Sequence, residues 1–167
     1  MPNTFYLIES KTVVTPSASI IFSAIPSTYT DLRIMYSGKS DSTSAQGTFM
    51  LFNGSSASVS SKYIIGDGTN PSTGNLNYMY VGSTWGTNGT ADVFSCNDIY
   101  IPNAFSSQTK SYIMSNSAEI NATSSYMNVI MGRDTATTGA ITSVTVDCGG
   151  GNWIANSTFY LYGIKSS

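Results

Sequence analysis

The chain has 167 residues, 41% hydrophobic and only 10% charged, with seven Lys and Arg, nine Asp and Glu, no histidine and a net charge of −2. That length fits one domain with a sizeable core, and the mix of large apolar residues and low net charge excludes disorder. Nucleic-acid binding needs a basic stripe that these scattered cations do not form, and no apolar run approaches the ~18 residues of a membrane span.

Hydrophobic periodicity is two nearly throughout, so the chain is predicted to be all-β. The first candidate strand, NTFYLI, is followed by ASIIFSAI and then LRIMYSG, where Leu32, Ile34 and Tyr36 alternate with Arg33, Met35 and Ser37. GTFMLFNG, KYIIG and LNYMYVG come next, then DVFSCNDIYIP and KSYIMSNSA. SSYMNVIMG sets Met127, Val129 and Met131 on one side, and ITSVTVDCG does the same with Val144, Val146 and Cys148. Each pattern predicts one core face and one solvent face. TFYLYGI is the last strand.

Between the strands lie the turn formers NGSSAS, GDGTNPSTG, TWGTNGT, DTATTG and CGGGN, whose Asn-Gly, Asp-Gly and Gly-Gly pairs supply positive φ. About ten short strands at this spacing predict an antiparallel β-sandwich, jelly-roll-like, with a closed barrel as the competing form. Residues 1–167 are expected to form a single domain, with residues 1–15 an N-terminal arm or edge strand that contacts partners. Phe159, Tyr160, Leu161 and Tyr162 put bulk on both faces of one strand. Tyr160 and Tyr162 are therefore candidates for an oligomer interface, against the alternative that loops cover them.

No motif carries catalysis. Gly38-Lys39-Ser40 ends like a phosphate-binding loop, but Arg33 stands where the first glycine belongs and no helix follows. GDGTNP has Pro71 in the place of a dinucleotide fingerprint's last glycine. Ser107 and Lys110 make an S-x-x-K without the partner motifs of penicillin-binding enzymes. The lack of histidine removes the usual general base and the commonest transition-metal ligand. The carboxylates are scattered, and turn capping suits them better than paired acid–base work or calcium binding at Asp67 or Asp98. No catalytic residue, metal or cofactor is expected.

Cys96 and Cys148 match no ligand spacing, and small buried hydrophobes are favoured over a disulfide. The sequons at Asn53, Asn88, Asn121 and Asn156 accompany no secretory signal and are assigned no function. Tyr78, Tyr80 and Trp85 share a loop-rich stretch where exposed rings beside Asn and Thr would suit a sugar's C–H face. Core packing and interface anchoring compete with that reading.

Four phrases resemble a family of small structural proteins of tailed bacteriophages, including phages of cyanobacteria and marine bacteria. They are FSAIPSTYTDLRIMYSGKS, FMLFNGSSASVSSKYIIGDGT, DIYIPNAFSSQTKSYIMS and GAITSVTVDCGGGNWIANSTFYLYGI. The family opens on an Ile-Pro before a Y-x-D-L strand, here Ile25-Pro26 with Tyr29, Asp31 and Leu32. It closes on G-S-T-F-x-L-Y-G-I, here Asn156 to Ile164, with Asn156 in the glycine's place. The resemblance implies a β-sandwich virion component from the head decoration, tail or fibre proteins. On it, the chain is expected to be a non-enzymatic capsid decoration protein, made in the host cytoplasm and carried on the virion. Its expected partners are the major capsid protein and its own copies, with a trimer favoured, and neither nucleic acid nor membrane. The alternative is a glycan-binding module of a tail or head fibre with a host surface glycan as partner.

Overall fold

The computed structural model describes residues 4–119 and 125–165, and among them it contains twelve strands and no helix. They are β1 (Phe5–Thr12), β2 (Ser19–Phe22), β3 (Asp31–Gly38), β4 (Gln46–Phe52), β5 (Val59–Gly66) and β6 (Pro71–Leu76), then β7 (Tyr80–Thr84), β8 (Ser95–Ile101), β9 (Lys110–Glu119), β10 (Ser125–Asp134), β11 (Val144–Asp147) and β12 (Thr158–Ile164). An eight-stranded sheet runs β1-β12-β3-β8-β9-β10-β5-β6 and a four-stranded sheet runs β2-β11-β4-β7. Every pairing is antiparallel. The all-β sandwich expected from period-two patterning is the fold found. The first half of the large sheet, β1-β12-β3-β8, and the small sheet draw on the chain in turn, except that β4 and β7 both belong to the small sheet. Two hairpins, β5-β6 and β9-β10, carry the large sheet further.

Leu32, Ile34 and Tyr36 face inward as expected, and Val144, Val146 and Cys148 meet them from the small sheet. At the centre Trp153 is fully buried, its Nε1 donating to the Val146 carbonyl at 3.3 Å. Tyr36 stacks on Phe159 at 5.0 Å between ring centres, and Trp153 meets both rings edge-on. Such ring pairs add about 0.5–1.5 kcal/mol each beyond the area they bury. Tyr36 also donates to the Val81 carbonyl and shares a hydrogen bond with Thr48, so no buried hydroxyl is wasted.

Three expectations change. GDGTNPSTG was expected to be all turn, but Pro71–Leu76 is a strand. It pairs only with β5, at the sheet's edge, where a proline's missing N–H costs no ladder bond. The second change is in β10. Its inward residues are Asn128, Ile130 and Asp134, while Met127, Val129 and Met131 point out, 64%, 49% and 58% exposed.

Neighbours satisfy the inward polar side in part: Asn128 donates to Asn116 and Asp134 accepts from the Ala136 and Thr137 amides through Oδ1, while Asn128 Oδ1 and Asp134 Oδ2 stay buried without a partner among the described residues. Asn116 accepts from the Ser83 amide and from Asn128, and its own amide donates to Asn97 at 2.7 Å and to the Ser83 carbonyl. Gly132 leaves the room that the Tyr112 ring occupies, and the Tyr112 hydroxyl donates to the Tyr80 carbonyl at 2.8 Å.

The third change is Cys96. Cys148 is buried, but Cys96 is exposed on the far side of the large sheet, and both are free thiols. Burial pushes the Cys148 thiol up to about 11.

Candidate functional site

The outer side of the large sheet follows from register alone. Residues that alternate with the core run across it in rows, and one row reads Leu7, Tyr162, Arg33, Tyr100, Ile113, Met131, Lys62. The next reads Ser10, Tyr160, Met35, Asp98, Ser115, Val129, Ile64. Twelve large apolar side chains are exposed among the described residues, and nine of them lie on this face. The other three are Val14, Ile21 and Tyr78. Apolar surface is therefore gathered on one broad face. Tyr160, at 37% exposure, and the half-buried Tyr162 both belong to it.

The charges on this face are mostly used within the chain. Arg33 grips Asp98 with both arms of its fork, Nε donating to Oδ1 at 2.7 Å, and the Asp98 carboxylate raises the guanidinium's pKa. Arg33 also lies over the Phe5 ring at 5.7 Å. Asp31 accepts from the Tyr100 hydroxyl at 2.8 Å and from the Asn103 amide, and the bond to Asp31 raises the Tyr100 pKa. Arg33, Asp98, Tyr100 and Ile113 surround a shallow hollow of about 380 Å³. Such a surface offers shape and apolar area, with a central polar pair to fix orientation.

The residues singled out as a glycan contact do not meet on one surface. Tyr80 is buried, its hydroxyl 2.6 Å from Ser83, so its ring has no free face for a sugar. Trp85 is half-buried, stacked on Tyr126 at 5.3 Å with its Nε1 donating to the Ala118 carbonyl. Only Tyr78 is well exposed, edge-on to Phe49 beside a hollow of about 330 Å³.

Lys110 of the S-x-x-K is buried, and its ammonium donates to the Ser106 and Gln108 carbonyls at 2.6 and 2.7 Å. Burial lowers its pKa, and Asp134 opposes that shift. Four carboxylates serve turns: Asp41 accepts from Asn152, Asp67 from Thr69 and Asn70, Asp134 from Ala136 and Thr137, and Asp147 from Gly149. Among the described residues no three His, Cys, Asp or Glu side chains gather as a metal site, and no helix is long and apolar enough to cross a membrane.

Asn53 is locked by its own side chain, which accepts from the Thr142 and Ser143 amides. The Asn121 sequon lies outside the described residues. Residues 5–12 form an edge strand paired along one side with β12, with a bulge between Leu7 and Glu9.

Sequence reasoning missed the outward stripe on β10. Its signal was the excess of apolar residues over what one core face can take. Compared with known proteins, the chain matches no family model, no curated protein and no solved structure.

Proposed function

We propose that the chain is a non-enzymatic structural protein of a tailed-bacteriophage virion, a capsid decoration or cement protein. It binds the major capsid protein on the outer head surface and stabilises the shell. The observation that carries this reading is the broad apolar face of the large sheet, because such area serves association rather than turnover. The strand order supports reading β1-β12-β3-β8 over β2-β11-β4-β7 as a jelly roll, an architecture common in viral capsid and lectin domains. The four sequence phrases supply the link to phage virions, since a fold alone does not give a function.

A cement protein binds the assembled shell and not its free parts, so its binding free energy adds to shell stability by mass action. Many copies turn weak single contacts into a lasting coat. The copies associate with one another through a contact that includes Tyr160 and Tyr162, and the resemblance favours three of them. The edge strand β1 and exposed Val14 face the shell. The protein is made in the host cytoplasm and needs no cofactor, nucleic acid or membrane.

The second reading, a glycan-binding fibre module, rests on the exposed Tyr78 beside Phe49. It expects saturable binding to host surface glycans that Tyr78→Ala abolishes. Immunogold labelling of intact virions with antibody to this chain decides between them. Many labels over the head are expected. Label confined to the tail or fibre ends would overturn the cement reading and favour the second.

A further inference from the structure

We infer that the outer face of the eight-stranded sheet packs against the same face of a second copy, about a twofold axis running along the strands between β8 and β9. This departs from the trimer that the resemblance favours, and it does not rest on the virion reading, since self-pairing is a property of the free chain.

Area comes first. Nine large side chains, each about half exposed, present on the order of 900 Å² of apolar surface. The largest patch on an ordinary monomer is roughly 300–600 Å², whereas a stable pair buries about 800 Å² on each partner. Summed over the face, and divided along β8 and β9 by Asp98, Ser115 and Ser117, the exposed apolar area matches what one partner needs.

Symmetry comes second. A single broad face suits an isologous contact, because a threefold ring must join two different patches on each copy. Two directions of twofold axis stand out. An axis across the strands would bring each strand over itself and place Asp98 near the partner's Asp98. An axis along the strands brings β3 over β10 and β8 over β9. In the observed register, that sets Asp31 opposite the partner's Arg133, Met35 opposite the partner's Val129 and Tyr100 opposite the partner's Ile113. No like charges face each other, and Arg33 and Asp98 enter already neutralised. Opposite charges meet at Asp31 and Arg133, and the apolar residues of β3 lie over those of β10 on either side of a polar strip at the axis, so the face is complementary to itself.

Cys96 gives the geometry a ruler. It is exposed on β8, next to the axis. With strands about 4.8 Å apart and sheets about 10 Å apart, two copies of Cys96 have Cα atoms about 11 Å apart. That is beyond the ~7 Å limit of a disulfide but within reach of a short bismaleimide.

The test is the mass of the intact chain by sedimentation equilibrium over roughly 1–100 μM, the weak end of what such an interface supports. A dimer is expected, joined covalently through Cys96 by the bismaleimide. Val129→Glu, which puts an unpaired charge on the apolar stripe of β10 in place of its contact with Met35 of the partner subunit, is expected to raise the dissociation constant about thirtyfold or more while the strand circular-dichroism signal is retained. If that variant fails to fold, Cys96 cross-linking of the unaltered chain decides. A monomer throughout the range, a trimer, or a dimer whose Cys96 pair cannot be bridged would each overturn the inference.

Discussion

At the scale of single residues, the core is set by places where a side chain would not fit. A Cβ on Gly38 would lie 2.5 Å from the Trp153 ring, which is fully buried and held by its own hydrogen bond. Gly38→Ala is therefore expected to destabilise the fold by about 1–3 kcal/mol through overpacking, measured by urea unfolding. Gly38 needs only the space, whereas Asn156 answers a different demand. It has φ +72°, a left-handed conformation that glycine and asparagine tolerate best. The asparagine there thus has a backbone cause.

Tyr36 and Tyr112 are also set by burial, which pushes both phenols well above their ordinary range, with hydrogen bonds opposing the shift. The folded value lies above the unfolded one, so the stability this gives is complete below about pH 10 and is lost as pH rises further. Tyrosinate absorbance from these rings is expected to appear together with loss of the strand circular-dichroism signal. Tyrosinate from Tyr36 and Tyr112 in a still-folded chain would contradict that coupling.

At the scale of elements, alternation in sequence identifies strands but not which side faces in. In β3 the apolar side is the core side, and the sequence shows it plainly. In β10 the more apolar side, Met127, Val129 and Met131, faces out. The choice was made by partners across the hairpin on β9: Asn116 for Asn128, and Tyr112 for the gap at Gly132. No local pattern carries that information. β6 was hidden for another reason, since Pro71 and Gly74 are turn formers that only an edge position tolerates.

The outer apolar face was half legible. Tyr160 and Tyr162 stood out as surplus on one strand, while the hairpin side of the same face needed the register to be seen. Tyr80 shared a loop-rich stretch with Tyr78 and Trp85, but it opens β7 and its ring is buried in the core.

The inverted register of β10 makes a sharp prediction about neighbours. Ile130 is fully buried, so Ile130→Ala is expected to cost about 2–5 kcal/mol, while Met131→Ala stays within about 0.5 kcal/mol. Both belong in the Val129→Glu chain, so that pairing between copies does not enter. Thermal or urea unfolding reads the difference, and equal costs would mean the wrong side has been placed inward.

At the scale of the whole molecule, the low charge and missing histidine shape how stability responds to pH. No side chain has an ordinary pKa near 6–7, the range where histidine switches operate. The carboxylates that move are exposed turn caps. The Asn152 side chain and amide hold Asp41 below the usual range, and the Asn70 and Thr69 amides do the same for Asp67. Their folded values lie below the unfolded ones, so the stability they give is present above about pH 4 and lost as pH falls further. Lys110, lowered by burial, works in the opposite sense to the tyrosines, easing the fold as pH rises toward its unfolded value. The melting temperature is expected to be flat from about pH 5 to 8, falling only toward the acid and alkaline ends. A step near neutrality in differential scanning calorimetry would contradict this picture.

The place of β12 in the large sheet has a consequence for how the molecule comes into being. It is the last of the twelve described strands, yet it lies between β1 and β3, hydrogen-bonded to both. During synthesis β1 therefore emerges first and waits while some 145 residues are added before its only neighbour exists. Until then Phe5 and Leu7 sit on a ribbon with two open edges, and β3 keeps a vacant berth beside it. A ribosome that stalls late would leave a nearly complete sandwich with one slot the width of a strand. The segment TFYLYGI from another chain would fit that slot, so crowding on a polysome would favour exchange of this strand between nascent copies.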